Sequence, residues 1–192
     1  MNFIFDVGNV LVEYEPLKYL KTLFSDKSVV DKMYETIFQS KEWLDMDCGI
    51  LTHEEAIKIF CACEPEFQSE IRKTMRNFNK IFTPLPDTIA LLPRVKETGR
   101  KLYYLSNIHK EIRDSLIEKH EFFNLFDGGV FSCDVHVIKP YPEIYRCLLE
   151  KYSFIPQDCI FFDDMEENVA GAEKEGIKGV LFTSADCVLE YL

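Results

Sequence analysis

Five short apolar runs constrain the fold more than any other feature of this sequence. They are Phe3-Ile4-Phe5, Leu102-Tyr103-Tyr104-Leu105, Gly129-Val130-Phe131, Cys159-Ile160-Phe161-Phe162 and Gly179-Val180-Leu181-Phe182. Runs this short, without polar alternation, read as strands buried on both faces. From the second run onward they alternate with helical spacing. Ile108, Ile112 and Leu116 recur every four residues, as do Ile144 and Leu148, and Val169 with Ala172 fits a short helix that Gly176 ends. This alternation predicts an α/β protein: a three-layer, Rossmann-like parallel sheet with helices on both faces.

A different pattern fills the interval between the first two runs. Asp87 to Thr98 reads as a helix stopped by Gly99, with Pro93 inside it, where a proline removes one backbone hydrogen bond and predicts a kink. From about Pro16 to Phe82 no strand pattern is present. Leu17 to Phe24, Val29 to Phe38 and Ala56 to Phe60 are amphipathic, and Thr52-His53-Glu54-Glu55 has the form of a capping box that starts the last of these helices. The expected organisation is a core of residues 1–15 and 83–192, with an all-helical cap of residues 16–82 inserted after the first strand. A chain of 192 residues fits one main core, burying roughly 70% of its unfolded surface.

Charge narrows the range of partners. A formal net charge of −11 argues against nucleic acid and against anionic membrane surfaces, both of which need a basic field. Any phosphate site must therefore be built locally, from a metal ion, a lysine or helix N-termini. The seven cysteines show no metal-ligand pairing, because Cys61-Ala-Cys63 has the wrong spacing and no second half. No apolar run approaches the roughly 18–20 residues of a membrane span, and Asp6 interrupts the apolar start before it can form a signal peptide. A reduced, cytoplasmic setting is expected.

Polar residues of distinctive type follow four of the five runs: Asp6-Val7-Gly8-Asn9-Val10, then Ser106-Asn107, then Lys139-Pro140, then Asp163-Asp164. Ligands of open α/β sheets bind at the carboxyl edge of the strands, so these groups should converge on one crevice. Taken singly, each has a plain structural reading as a turn, a helix cap or a loop residue. Taken together they suit phosphoryl transfer. Asp6, Asp163 and Asp164 would repel one another without a hard divalent cation, for which Mg²⁺ is the natural choice. Ser106 and the backbone amide of Asn107 can donate to phosphoryl oxygens, and Lys139 can offset developing charge.

The strings FDVGNVLV, YYLSN, VIKPYPEIY and FFDDMEENVAGA resemble, in order and over the whole chain, the four motifs of the haloacid dehalogenase-like superfamily. They are most similar to its small sugar-phosphate phosphatases, including α-glucose-1-phosphate phosphatase. The resemblance implies that Asp6 is a nucleophile forming an aspartyl-phosphate, with Lys139 as its catalytic cation. It also implies a magnesium site made by Asp6, the carbonyl of Gly8, and Asp164, with Asp163 acting through water or by holding Lys139. The substrate would be a small phosphorylated metabolite, and the helical cap would close over it. The sequence departs from the superfamily pattern at Gly8, where most phosphatases carry a second Asp as general acid.

Two other functions are compatible with these residues. One is a dehalogenase, which uses the same nucleophile on carbon without metal. The other is a phosphate-binding regulatory protein without turnover. Four further residues carry two readings each. Asn168 either joins the acidic cluster or faces solvent. His53 and His109 read as surface or capping residues or as bases near the crevice. Trp43 either lines the crevice or fills the cap core.

Overall fold

The computed structural model of the chain describes residues 1–76 and 78–192. Its elements in order are β1 (Asn2–Phe5), β2 (Val12–Tyr14), α1 (Pro16–Leu23), α2 (Lys27–Met33), α3 (Lys41–Asp47), α4 (His53–Cys63) and α5 (Gln68–Arg76). There follow β3 (Phe82–Pro84), α6 (Pro86–Glu97), β4 (Lys101–Ser106), α7 (Lys110–Lys119), β5 (Gly128–Phe131) and α8 (Ser132–Val135). The chain then forms α9 (Pro142–Tyr152), β6 (Cys159–Asp163), α10 (Glu166–Lys174), β7 (Lys178–Leu181) and α11 (Asp186–Leu189).

Each of the five apolar runs is a strand, and together they make one parallel sheet in the order β5-β4-β1-β6-β7. The pleat divides their side chains between two faces. Phe3, Phe5, Ile160 and Phe162 join a cluster with Leu91, Leu92, Val95, Ile112 and Leu116 of α6 and α7. Ile4, Tyr103, Leu105 and Phe161 join a second one with Ile144, Tyr145, Leu148 and Ala172 of α9 and α10. Two helix layers therefore cover one sheet, as the unbroken apolar runs require. Stacking of Phe5 on Phe162, with ring centroids 5.0 Å apart, places two fully buried aromatics directly beneath the ends of the central strands.

The helical stretch between β2 and β3 contains elements that periodicity did not reveal. Helices α3 and α5 present too few apolar residues to mark a stripe. The expected helix over Val29–Phe38 is α2 followed by a π-helical turn at Tyr34–Phe38. The capping box forms as expected: Thr52 Oγ1 accepts the Glu55 N–H (3.3 Å) and the Glu55 carboxylate accepts the Thr52 N–H (3.0 Å). Pro93 lies inside α6. A short antiparallel ribbon was also absent from the sequence expectation. Here β2 pairs with β3 in the register Val12↔Pro84, Glu13↔Thr83, Tyr14↔Phe82. Three-residue strands, one ending in proline, carry no readable period. The ribbon brings the start and end of the helical stretch side by side, so it leaves and rejoins the sheet through a two-stranded stem.

Gly49, between α3 and α4, sits against the main chain of α8. Its φ is +66°, and a Cβ there would lie 2.4 Å from the Cys133 carbonyl oxygen. Gly99 has a similar φ of +79° but open space around it. Gly49→Ala should therefore destabilise the fold by roughly 2–4 kcal/mol, and Gly99→Ala by only about 1–2 kcal/mol, the cost of the left-handed backbone alone. Urea unfolding of both variants checks this, and equal losses would show that the Gly49 contact relaxes freely.

Candidate active site

The three central strands deliver the chemistry. β1 lies between β4 and β6, so Asp6, Ser106 and Asp163 emerge side by side at the carboxyl edge. Asp6 continues the ladder by donating its N–H to the Phe162 carbonyl (2.9 Å). Its Oδ1 then accepts the Val7 N–H (2.7 Å) and the Lys139 ammonium (2.8 Å), and the Ser106 hydroxyl hydrogen-bonds the same carboxylate. Lys139 Nζ also donates to Asp163 Oδ2 (2.6 Å). The lysine side chain is 1% exposed, so its charge is offset by these two carboxylates.

The surrounding residues hold this ion triad in place. Asp163 Oδ1 accepts the Met165 N–H (2.9 Å) and the Asn168 amide (3.0 Å), so protein donors occupy three of its roughly four acceptor sites. Asn168 is buried and takes its cluster reading rather than the solvent-facing one. The Asn107 side chain clamps the backbone of Lys139, accepting its N–H (2.7 Å) and donating to its carbonyl (3.0 Å). That leaves its backbone amide, not its side chain, available for a ligand. Asn9 adopts a positive φ of 53°. Its amide donates to Asp164 Oδ2 (2.9 Å) and accepts the Tyr14 N–H (2.9 Å). This tie between the β1 loop, β2 and Asp164 had no sequence signal beyond an Asn tolerant of the left-handed region.

Electrostatics leave the cluster short of positive charge. Burial pushes the Asp6 carboxyl up to about 7, with Asp163 adding to the rise and Lys139 and Ser106 opposing it. Burial likewise raises Asp164. Burial alone would lower Lys139, but Asp6 and Asp163 more than reverse this and keep it an ammonium. Oxygens of Asp6, Asp163 and Asp164 lie within 4.8 Å of one another, three carboxylates against one buried ammonium. A hard divalent cation with few protein ligands fits this donor set and its unbalanced charge.

Above the cluster is a cavity of about 560 Å³. Its floor holds Asp6, Gly8, Ser106 and Lys139, and its walls include Trp43, Leu44, Phe82, Ile112 and Ile138. Trp43 satisfies both of its readings: it lines the cavity and is buried in the core. His109 is no surface residue, being 1% exposed. Its ring lies 4.8 Å from Trp43 and 4.9 Å from Phe78, and His53 stacks on the other side of that circuit, 4.6 Å from Phe78. Among the described residues both ring nitrogens of His109 lack partners, and burial pushes the imidazole down to about 3.

Residues 1–176 match the family model of haloacid dehalogenase-like hydrolases. The chain belongs to that family. It is 29% identical over 182 residues to a sesquiterpene phosphatase of Aspergillus oryzae, covering 95% of this chain and 89% of the relative. It is 24% identical to a phosphorylated carbohydrates phosphatase of Thermotoga maritima, covering 92% and 82%. A crystal structure of a HAD family enzyme from Bacteroides thetaiotaomicron, in complex with magnesium and inorganic phosphate, superposes with a TM-score of 0.74 at 19% identity. That match covers 93% of this chain and 92% of the other, and it shows the shared fold.

Removal of the buried cation should be costly in this hydrolase, because Asp6 and Asp163 would be left unpaired inside the protein. Lys139→Ala should lose about 3–5 kcal/mol of stability in metal-free buffer and, assayed with a divalent cation added, most activity. Urea unfolding and turnover of the same preparation check both. A stable and active variant would show that Lys139 is an ordinary loop residue.

Proposed function

We propose that the chain is a magnesium-dependent phosphatase that hydrolyses a small phosphomonoester through a phosphoryl group carried transiently on Asp6. The supporting observation is the floor of the cavity. One nucleophilic carboxylate is held there by a buried ammonium and a hydroxyl, beside two further carboxylates with too little positive charge around them. In this reading Asp6, the Gly8 carbonyl and Asp164 hold the cation, and Asp163 contributes through water while holding Lys139. When bound, the cation supplies charge neutralisation at the phosphoryl oxygens. Ser106, the Asn107 backbone amide and Lys139 bind and orient the phosphoryl group, and Asp6 attacks phosphorus in line with the leaving oxygen. Residues 1–15 and 83–192 form the catalytic core and residues 16–82 the cap that covers the substrate. The protein works in the cytoplasm on a phosphorylated metabolite, with no nucleic acid or membrane partner.

Gly8 bears on the choice of substrate. Without a carboxylic acid two residues after the nucleophile, the β1 loop itself gives no proton to a departing alkoxide, so leaving oxygens that tolerate charge keep a modest advantage even with a donor elsewhere on the cavity wall. An anomeric phosphate such as glucose 1-phosphate fits, because the ring oxygen withdraws electron density from the same carbon. The apolar wall of Trp43, Leu44, Phe82, Ile112 and Ile138 favours a second reading, the monophosphate of an apolar alcohol. A relative named as a sesquiterpene phosphatase supports the same reading.

A panel of phosphomonoesters tests the proposal. Hydrolysis should stop with EDTA and return with magnesium, and glucose 1-phosphate should have a higher kcat/KM than glucose 6-phosphate. Preference for a prenyl monophosphate over both sugars would select the second reading. Metal-independent release of halide from a 2-haloacid, without phosphatase activity, would overturn both.

A further inference from the structure

We propose that Asp47, carried by the helical stretch at the end of α3, is the general acid and base that the β1 loop lacks at Gly8. The inference rests on the phosphatase reading above. In an in-line displacement the leaving oxygen departs on the side of phosphorus opposite the attacking carboxylate. With Asp6 at the sheet edge, the proton for that oxygen has to come from the helical side of the cavity. Asp47 is on that side, lining the same cavity as Asp6, Gly8 and Lys139, and it is 8% exposed.

Its position is fixed from two directions. The carboxyl accepts the His109 backbone N–H, just beyond β4. The Asp47 backbone carbonyl accepts the Ser132 hydroxyl (2.5 Å) at the end of β5, and the Ser132 oxygen accepts the Ile108 N–H (2.9 Å). Tyr14, on the strand that follows the Asp6 loop, lies close enough for its hydroxyl to feel the Asp47 charge. A cap residue is thus tied to the core segments that carry the phosphate-binding groups.

The protonation state suits the role. Burial pushes the Asp47 carboxyl up to about 8, against the opposing effect of the His109 N–H, so it enters the reaction as an acid at neutral pH. Of the other groups lining the cavity, Lys139, His109 and Tyr14 are poorer donors. The Lys139 ammonium is held between Asp6 and Asp163. Burial keeps the His109 ring neutral and raises the Tyr14 hydroxyl above its ordinary range. At Gly8, a Cβ would meet nothing among the described residues within 4 Å, so packing does not demand a glycine there. The residue type at that position is free to follow the chemistry.

The proton balance closes over two steps. As Asp6 attacks phosphorus and the bond to the leaving oxygen breaks, Asp47 gives its proton to that oxygen and becomes a carboxylate. It then takes a proton from the water that attacks the phosphorus of the aspartyl-phosphate. The bond to Asp6 breaks, inorganic phosphate leaves, and both residues return to their starting states.

The test is a leaving-group comparison on Asp47→Asn, whose amide oxygen can still accept the His109 N–H and so preserves the anchor. With magnesium, kcat/KM for alkyl phosphates should fall roughly 100-fold or more, but for 4-nitrophenyl phosphate less than about tenfold, because nitrophenolate needs no proton to depart. A thermal melt confirms that the variant is folded. An equal fall on both substrates, or none on either, would overturn the proposal. Should the variant fail to fold, the wild type decides: a kcat/KM that depends only weakly on leaving-group acidity supports an acid in place, and a steep dependence overturns it. A wild type inert on every phosphomonoester would instead remove the phosphatase reading, and the proposal with it.

Discussion

A single buried ammonium organises the centre of this protein. Lys139 Nζ lies 2.8 Å from Asp6 and 2.6 Å from Asp163, joining a loop beyond β5 to the ends of β1 and β6. Burying three charges is expensive, and such a triad contributes little net stability compared with an apolar core. Its value is positional. The ammonium prevents the two carboxylates from moving apart, and the Asn107 clamp on its backbone and the Asn168 bond to Asp163 restrict the rotamers of all three. Sheet order makes this possible, since only adjacent strands could bring these residues within one hydrogen-bonded cluster.

The helical stretch contributes a different kind of chemistry. Its stem is the β2–β3 ribbon, and Tyr14 on that ribbon is tied through Asn9 to Asp164, so its root is coupled to the acidic cluster. At its far side, Gly49 and Asp47 abut Cys133 and Ser132, and Trp43 packs on His109. The cavity therefore has a charged floor supplied by the sheet and a mostly apolar wall supplied largely by helices. A phosphate can be gripped below while the alcohol it is attached to is sorted above.

Much of this was legible in the sequence, for physical reasons that differ from residue to residue. Strands β1, β4, β5 and β6 were readable because strands buried on both faces must be apolar throughout, the half-buried edge strand β7 was readable as a short apolar run alone, and the convergence of Asp6, Ser106, Lys139 and Asp163 followed from where parallel strands end. The supporting partners were less readable. Asn168, close to Asp163 in sequence, had its cluster reading open from the start, but Asn9 and Asn107 act through side-chain bonds to residues as many as 155 positions away, and a sequence does not encode such pairings locally. The expected phosphate contact of Asn107 uses its backbone amide, and the clamp of its side chain on the Lys139 backbone was the part the sequence did not show. His109 read as a surface or capping residue or as a base near the crevice, and it stands at the N-cap position of α7 with its ring buried. Its burial in an aromatic stack depends on Trp43 of α3 and on Phe78, in segments whose patterns are too short to read. Asp47 lies in α3 and gave no signal at all.

The central claim is that Asp6 carries the phosphoryl group, and it can be tested on the covalent intermediate itself. Enzyme mixed with a hydrolysable phosphomonoester and magnesium, quenched in the steady state and reduced with borohydride, would convert an acyl phosphate at position 6 to homoserine. Peptide mass spectrometry should find homoserine at residue 6, at no other carboxylate, and only when substrate is present. Active turnover with no reduced residue at position 6, or with the label on Asp47, Asp163 or Asp164, would contradict the account.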